Sequence, residues 1–367
     1  MDQLFTVATR FKLGGAAREI AEFGSGRIND SYLVTLAPPN QDKVILQRIN
    51  REVFPSPELI MRNIRTVTDH INTLLLTRCN GQNQHWIMPH IIPAQDGKDF
   101  VVETDGSFWR ASSFIDHARS YDQIQTVDHA AQAGYALGKF HQMISTLDPA
   151  RLHDTLPGFH ITPGYLDRYN RVVSDKKNSN QKSAEVKYCC EFIEARRHIV
   201  RALEDAKQQN WLALRPIHGD PKLSNIMIDT GTNLAVSIID LDTVKPGLVQ
   251  YDIGDCLRSS CNPAGEETDA IATVRFEPDL CRIILKGYLA EADYFMTTND
   301  YGYIYEAVRL IAFELGLRYF TDYLEGNKYF KAVHPDQNLS RSLVQFRLTE
   351  SIEKQELAIR KIVAGLQ

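Results

Sequence analysis

Two short polar motifs set among apolar residues constrain this chain more than any other feature. They are Ile217-His218-Gly219-Asp220-Pro221-Lys222-Leu223-Ser224-Asn225 and Ile238-Ile239-Asp240-Leu241-Asp242. Together they supply an Asp, an Asn five residues on, and a second Asp twenty residues after the first. Ile226-Met227-Ile228-Asp229, the turn Thr230-Gly231-Thr232-Asn233 and Ala235-Val236-Ser237-Ile238-Ile239 read as a hairpin. That hairpin returns Asp240 to the side of Asp220. Kinase-type phosphoryl transfer needs such a set: a carboxylate at the acceptor hydroxyl, plus an Asn and an Asp holding Mg²⁺ against nucleotide phosphates. Either motif alone has a plainer explanation, a turn with a capping Asp or a strand end. Both together, in this order, favour the chemistry.

The rest of the chain supplies a matching frame. Arg18–Phe23, Tyr32–Leu36 and Lys43–Arg48 read as strands, with turns at Gly24-Ser25-Gly26 and Pro38-Pro39-Asn40. Residues 57–76 carry helical spacing through Leu59, Ile60, Ile64, Val67 and Ile71. Phe100–Thr104 and Phe108–Ala111 form a hairpin around Asp105-Gly106, a dipeptide suited to the tight turn. After Asp116 the pattern turns helical, at 128–146, at 185–208 and from 277 on, closing in an amphipathic helix near 340–364. The polar stretch 175–183 reads as a mobile loop. This predicts an α+β, bilobal, protein-kinase-like fold. A small antiparallel-sheet lobe at 1–115 would bind nucleotide; a larger helical lobe at 116–367 would carry the Asp loop and the acceptor site. The length of 367 residues suits two such units.

Other residues take their roles from this frame. Gly24, Ser25 and Gly26 lie between two strands, where backbone N–H groups can approach phosphate oxygens. The turn lacks the P-loop form. A kinase places a Lys on its third strand, but this strand ends Leu46-Gln47-Arg48. Strand side chains alternate, so Gln47 and Arg48 face opposite ways and only one reaches the nucleotide. Gln47 has the register, Arg48 the charge. His218 is read as a loop support, since no partner ligands for a metal accompany it. Lys222 is placed to steady the transferred phosphoryl group, with a solvated lysine as the alternative. Asp242 shares a face with Asp240 if the segment is extended, and orients either metal-bound water or the loop backbone. Asp252, Asp255 and Arg258 are taken as structural support.

The glycine turn through Asp30, Ile45–Asn50, the His218-Gly219-Asp220…Asn225 loop and Ile239–Thr243 with Pro246-Gly247 resemble the aminoglycoside phosphotransferase family, and most of all its N-acetylhexosamine 1-kinases. The segment Leu317–Phe330 carries the more particular part of that resemblance. It implies ATP- and Mg²⁺-dependent phosphorylation of the anomeric C1 hydroxyl of N-acetylglucosamine or N-acetylgalactosamine. Asp220 matches the catalytic aspartate, Asn225 and Asp240 the metal ligands, and Arg318 and Tyr329 positions that look like sugar contacts. One departure stands out: those kinases have a His in a Gly-His-Ile-Asn run, and this chain has Arg27. A longer, permanently charged side chain there can reach sugar hydroxyls or phosphate.

Composition narrows the field. A net charge of −5 gives no general basic field for nucleic acid or an anionic membrane. No apolar run approaches the length of a membrane span, and the N-terminus lacks a signal-peptide core. Six cysteines without a paired C-x-x-C indicate neither a zinc site nor a disulfide framework, so a cytoplasmic setting is expected. Three alternatives remain: a related kinase for homoserine, choline or an aminoglycoside, a non-catalytic kinase-like binding module, and a metal-dependent phosphohydrolase. A polycationic acceptor asks for an acidic pocket, which Arg27 and Arg318 oppose. A dead module has usually lost the Asp or the metal ligands, and all three stand here.

Overall fold

A computed structural model describes residues 2–24, 26, 28–39, 42–77, 86–175 and 183–367. In chain order the first part comprises α1 (Asp2–Thr9), β1 (Ala17–Glu22), β2 (Asp30–Leu36), β3 (Lys43–Ile49), α2 (Pro57–Thr77), β4 (Ile91–Ile92), β5 (Val101–Val102) and β6 (Phe108–Ser113). The strands form one antiparallel sheet in the order β1-β2-β3-β6-β4, with β5 also on β6. Alternation assigns its faces. Val44 and Leu46 join Val34, Leu36, Trp109 and the α1 residues Val7 and Ala8 in one apolar cluster. Ile45 and Gln47 therefore face the other way, into the cleft.

The second part begins with β7 (Ala118–Arg119) and α3 (Val127–Ile144). There follow α4 (Thr162–Ser174), α5 (Ala184–Arg196), α6 (Ala202–Gln208), β8 (Arg215–Ile217), β9 (Ile226–Asp229), β10 (Ala235–Ile238) and β11 (Lys245–Gly247). Helices α7 (Val249–Ser260), α8 (Pro278–Ala292), α9 (Thr298–Gly302), α10 (Ile304–Leu324), α11 (Gln337–Lys354) and α12 (Glu356–Ala364) complete it. Helix α3 lies directly on α8, and a Cβ on Gly134 would sit 1.9 Å from the Ile284 carbonyl oxygen. Only glycine permits that approach.

A second apolar cluster ties the two parts together. Ile60, Ile64, Val67 and Ile71 of α2 pack with Phe140 and Ile144 of α3 and with Ile226 and Ile238 of the β9–β10 hairpin. Buried Asn63 of α2 adds polar anchors, donating to the carbonyls of His153 and Val244, each at 2.8 Å. The sheet is thereby held over the Asp220 loop.

Three expectations change. The helix read over 185–208 breaks after Arg196, passes through a 3₁₀ turn at Arg197–Ile199 and resumes at Ala202. The closing helix is two helices, because Gln355 leaves helical geometry and its amide donates to the Phe276 carbonyl at 2.6 Å. Nor is α11 amphipathic: Asn338, Ser342, Gln345 and Thr349 are buried along with its apolar residues. Most of the loop read over 175–183, residues 176–182, lies outside the described residues.

Candidate active site

The Asp220 loop leaves β8, which pairs antiparallel with β11 (Ile217 opposite Lys245). Gly219 turns it at φ +89°, and a Cβ there would lie 2.6 Å from the Thr243 carbonyl oxygen. Asp252, in the first turn of α7, accepts the backbone N–H of His218 at 2.6 Å and of Gly219 at 2.8 Å. His141 Nε2 meets the same carboxylate at 2.8 Å. Burial alone would raise the Asp252 pKa, but hydrogen bonding and charge from His141 hold it below the ordinary value. Burial depresses the His218 pKa, leaving a neutral ring. Its Nε2–H donates to the Ile239 carbonyl at 2.9 Å and its Nδ1 accepts Asp220 N–H at 3.3 Å. His218 thus joins the two motifs through backbone, as a loop support.

His160 holds the loop from the other side, and no local pattern pointed to it. Its Nε2 donates to the Gly219 carbonyl at 2.7 Å and its Nδ1 to Glu314 at 3.0 Å, while Thr162 donates to Glu314 at 2.6 Å. Burial works against the charged ring, yet the Glu314 bond and charge raise the His160 pKa above its usual value. Glu314 is held below its own, its burial outweighed by His160.

The hairpin forms as read, with Ile238 opposite Ile226 and Ile239 N–H bonded to the Asn225 carbonyl at 2.9 Å. Asp220, Lys222, Asn225, Asp240 and Asp242 all line one cavity of about 1060 Å³, running from the underside of the sheet to α10. Lys222 Nζ donates to Asp220 Oδ2 at 2.6 Å, and Asn225 Nδ2 to the Asp220 carbonyl at 2.7 Å. Burial opposes the Lys222 charge, but Asp220 and Asp240 raise its pKa. Asp240 has φ +66°, and its carboxylate has no hydrogen-bond partner among the described residues. Desolvation within the cleft, then the charge of Asp242, push its pKa up to about 6, although the residue stays exposed at the cavity surface. A hard divalent cation fits here: an amide oxygen of Asn225 and the Asp240 carboxylate, which no hydrogen bond among the described residues engages, open on the same cavity. Mg²⁺ is commonly held by one or two carboxylates together with phosphates and water.

Over this floor lies the sheet. Gly24, Gly26 and Gln47 line the cavity. Arg48 does not; it turns outward and pairs with Asp30 at 2.7 Å, and Lys331 meets the same carboxylate at 3.0 Å. Ser25 and Arg27 lie outside the described residues. Directly across from Gln47, β6 contributes Arg110, a buried cation that the sequence reading passed over as a hairpin residue. It donates to Gln47 Oε1 at 2.9 Å and forms an ion pair with Asp242. Asn29 reaches the other Asp242 oxygen at 2.7 Å. Asp242 therefore receives the sheet on both sides, and Thr155 binds its carbonyl at 2.8 Å.

At the far end of the cavity stand Arg318 and Tyr329. The Arg318 guanidinium lies within 4.9–5.8 Å of the ring centroids of Phe159, Tyr165, Phe330 and Tyr329. It has no hydrogen-bond partner among the described residues. Asp322 builds the turn carrying Tyr329, accepting N–H from Lys328, Tyr329 and Phe330 at 2.9, 2.8 and 3.0 Å. The acids here are engaged: Asp255 and Glu266 pair with Arg258, and Glu267 with Arg341.

Residues 19–282 match the family model described as the phosphotransferase enzyme family, APH. Among solved structures, a microcompartment-associated aminopropanol kinase is 15% identical, with TM-score 0.65 over 98% of this chain and 99% of its own. An aminoglycoside phosphotransferase from Alicyclobacillus acidocaldarius is also 15% identical, with TM-score 0.64 over 98% and 96%. An amicoumacin kinase, solved with AMP-PNP, Ca²⁺ and amicoumacin, is 14% identical, with TM-score 0.58 over 96% and 93%. At these identities the likeness is one of fold, the bilobal kinase arrangement.

Proposed function

We propose, from the premise that this chain belongs to the APH phosphotransferase enzyme family, that it is an ATP-dependent kinase for the C1 hydroxyl of an N-acetylhexosamine. The nucleotide lies between lobe 1–115 and lobe 116–367, beneath Gly24 and Gly26 and beside Gln47. The sugar occupies the end near Arg318 and Tyr329. A cavity of about 1060 Å³ is ample for both, as single-ligand pockets run from roughly 300 to 1,000 Å³.

Asp220 orients the sugar hydroxyl and takes its proton as the oxygen attacks the γ-phosphorus. The new O–P bond forms, the bond to the β-phosphate oxygen breaks, and ADP leaves. Lys222, 2.6 Å from Asp220, is placed to counter charge on the transferring group. Asn225 and Asp240 would hold Mg²⁺, which when bound neutralises phosphate charge. Most of the acceleration comes from positioning and fixed charge.

The observation carrying the acceptor class is Arg318. A guanidinium among aromatic rings, lacking a hydrogen-bond partner, repels an amino alcohol's ammonium and offers a planar donor fork to sugar or acyl oxygens. Tyr329 adds a ring face or a hydroxyl. This favours a neutral, oxygen-rich acceptor over choline or an aminoglycoside. The test is ³¹P and ¹H NMR of the products after incubation with ATP, Mg²⁺ and mixed N-acetylhexosamines. A phosphate on C1 is expected. ATP consumption with an amino alcohol and none with any N-acetylhexosamine would overturn the sugar assignment.

A further inference from the structure

Kinase-type sites use a lysine on the third strand to reach the α/β-phosphates. Here β3 brings no cation to the cleft: Gln47 faces it, and Arg48 is turned away onto Asp30. The missing charge lies one strand over. Arg110 on β6 is the direct cross-strand partner of Gln47, so the two side chains emerge from the same face about 5 Å apart at Cβ. Both line the cavity.

The contacts of Arg110 fit a grip on phosphate better than a purely structural pair. Gln47 Oε1 takes Nε–H at 2.9 Å, and Ser31 Oγ, also on the cavity wall, accepts the Gln47 amide at 2.9 Å. That relay fixes the plane of the guanidinium. Asp242 takes one terminal nitrogen, Nη1, while Nη2 has no hydrogen-bond partner among the described residues. The side chain is only 7% exposed. A desolvated cation with donors free, on the roof of a cleft whose floor holds Asp240 and Asn225, is suited to an anion between them. Arginine provides a planar, permanently charged fork that matches phosphate oxygens.

We infer that Arg110 replaces the third-strand lysine as the cation gripping the α/β-phosphates of the nucleotide, with Gln47 in the lysine's place as its orienting partner. The assignment rests on the reading that the cleft binds a nucleoside triphosphate. Asp242 makes the grip span both lobes, because the residue two positions after Asp240 holds the arginine from below.

Calorimetric titration of adenosine and of Mg-ADP tests it, on the wild type, R110Q and the double variant Q47K/R110Q, with thermal melting as the fold control. R110Q should weaken ADP about 10- to 100-fold, the loss expected for charge-assisted hydrogen bonds, and leave adenosine unchanged. Q47K/R110Q, with a lysine restored to the third strand, should recover most of the lost affinity. Unchanged ADP affinity in a folded R110Q overturns the assignment. So does an equal loss for adenosine and ADP, which would mean that Arg110 only shapes the cleft. Should R110Q not fold, R110K carries the test, since its ammonium keeps the charge beside Asp242 but loses the fork. Weaker ADP with unchanged adenosine then supports the grip, and an equal loss for ADP and adenosine overturns it. A wild type that binds neither ligand overturns both this inference and the nucleotide reading beneath it.

Discussion

The floor of the cleft and its acceptor wall are built on opposite principles. On the floor, the groups that support the Asp220 loop meet partners. Asp252 takes two backbone N–H groups and His141, His218 bridges two motifs, and His160 joins Gly219 to Glu314. On the wall, Arg318 faces four aromatic rings with no hydrogen-bond partner among the described residues. The loop's supports are satisfied without ligand; Arg318 is not. Changes to the floor's supports should therefore cost stability, and changes to the wall should cost binding alone.

Asp220 gives the largest expected effect, and it tests where the floor ends and the chemistry begins. It is the floor carboxylate proposed to meet the acceptor, partly exposed and bonded at its side chain by Lys222. Asp220→Asn should lower kcat by at least ~10²-fold, the lower range for loss of a general base, with the melting temperature nearly unchanged. Steady-state turnover and a thermal melt read the two separately. Near-normal turnover would remove Asp220 from the mechanism.

Arg318→Met comes next and probes the wall. Methionine keeps much of the apolar stem among the rings and removes the charge. The acceptor KM should rise about 10- to 100-fold, as for a lost charged hydrogen bond, with the ATP KM unchanged. Because the guanidinium makes no hydrogen bond among the described residues and methionine keeps most of the apolar contacts with the rings, the folded state should be nearly as stable as the wild type. An acceptor KM equal to the wild type's, or a large fall in denaturation midpoint, would reverse the contrast between wall and floor.

How far each region could be read from sequence follows the same division. Asp220, Asn225 and Asp240 were legible because one hairpin, whose turn residues announce it, brings them together. The supports were not: Glu314 lies 154 residues from His160, and Asp252 lies 111 from His141. No local spacing joins such pairs. The choice between Gln47 and Arg48 stayed open because alternation defines two faces without saying which is covered. Helix α1 covers the face of Val44 and Leu46, and that short N-terminal helix was not read as one. Arg110 was counted as part of a hairpin, and its place opposite Gln47 comes from the β3–β6 pairing across 63 residues, which the Asp105-Gly106 turn between β5 and β6 does not set. The helical breaks at Arg197 and Gln355 depend on tertiary hydrogen bonds and packing that periodicity does not register.

The smallest expected effect is also the one that most directly measures the floor's self-sufficiency. His160 and Glu314 form a buried pair, 4% and 1% exposed at the side chain, with Asp255 and Arg318 as the nearest further charges. The His160 pKa is raised on folding despite its burial, so its contribution is complete below the unfolded value of about 6.5 and is lost as pH rises through the higher folded value. The Glu314 pKa is lowered, so its contribution is complete above about 4.5 and is lost as pH falls through the lower folded value. Both are fully present from about pH 4.5 to 6.5. His160→Gln keeps a polar side chain near Gly219 but removes the charge facing Glu314. Urea denaturation of wild type and variant across pH 5 to 9 should show a stability gap of about 1–3 kcal/mol inside that window, closing as pH rises through the folded His160 value. A gap that stays constant from acid to alkaline pH would mean that His160 supports the loop as a neutral ring, and that the floor's balance of charge lies elsewhere.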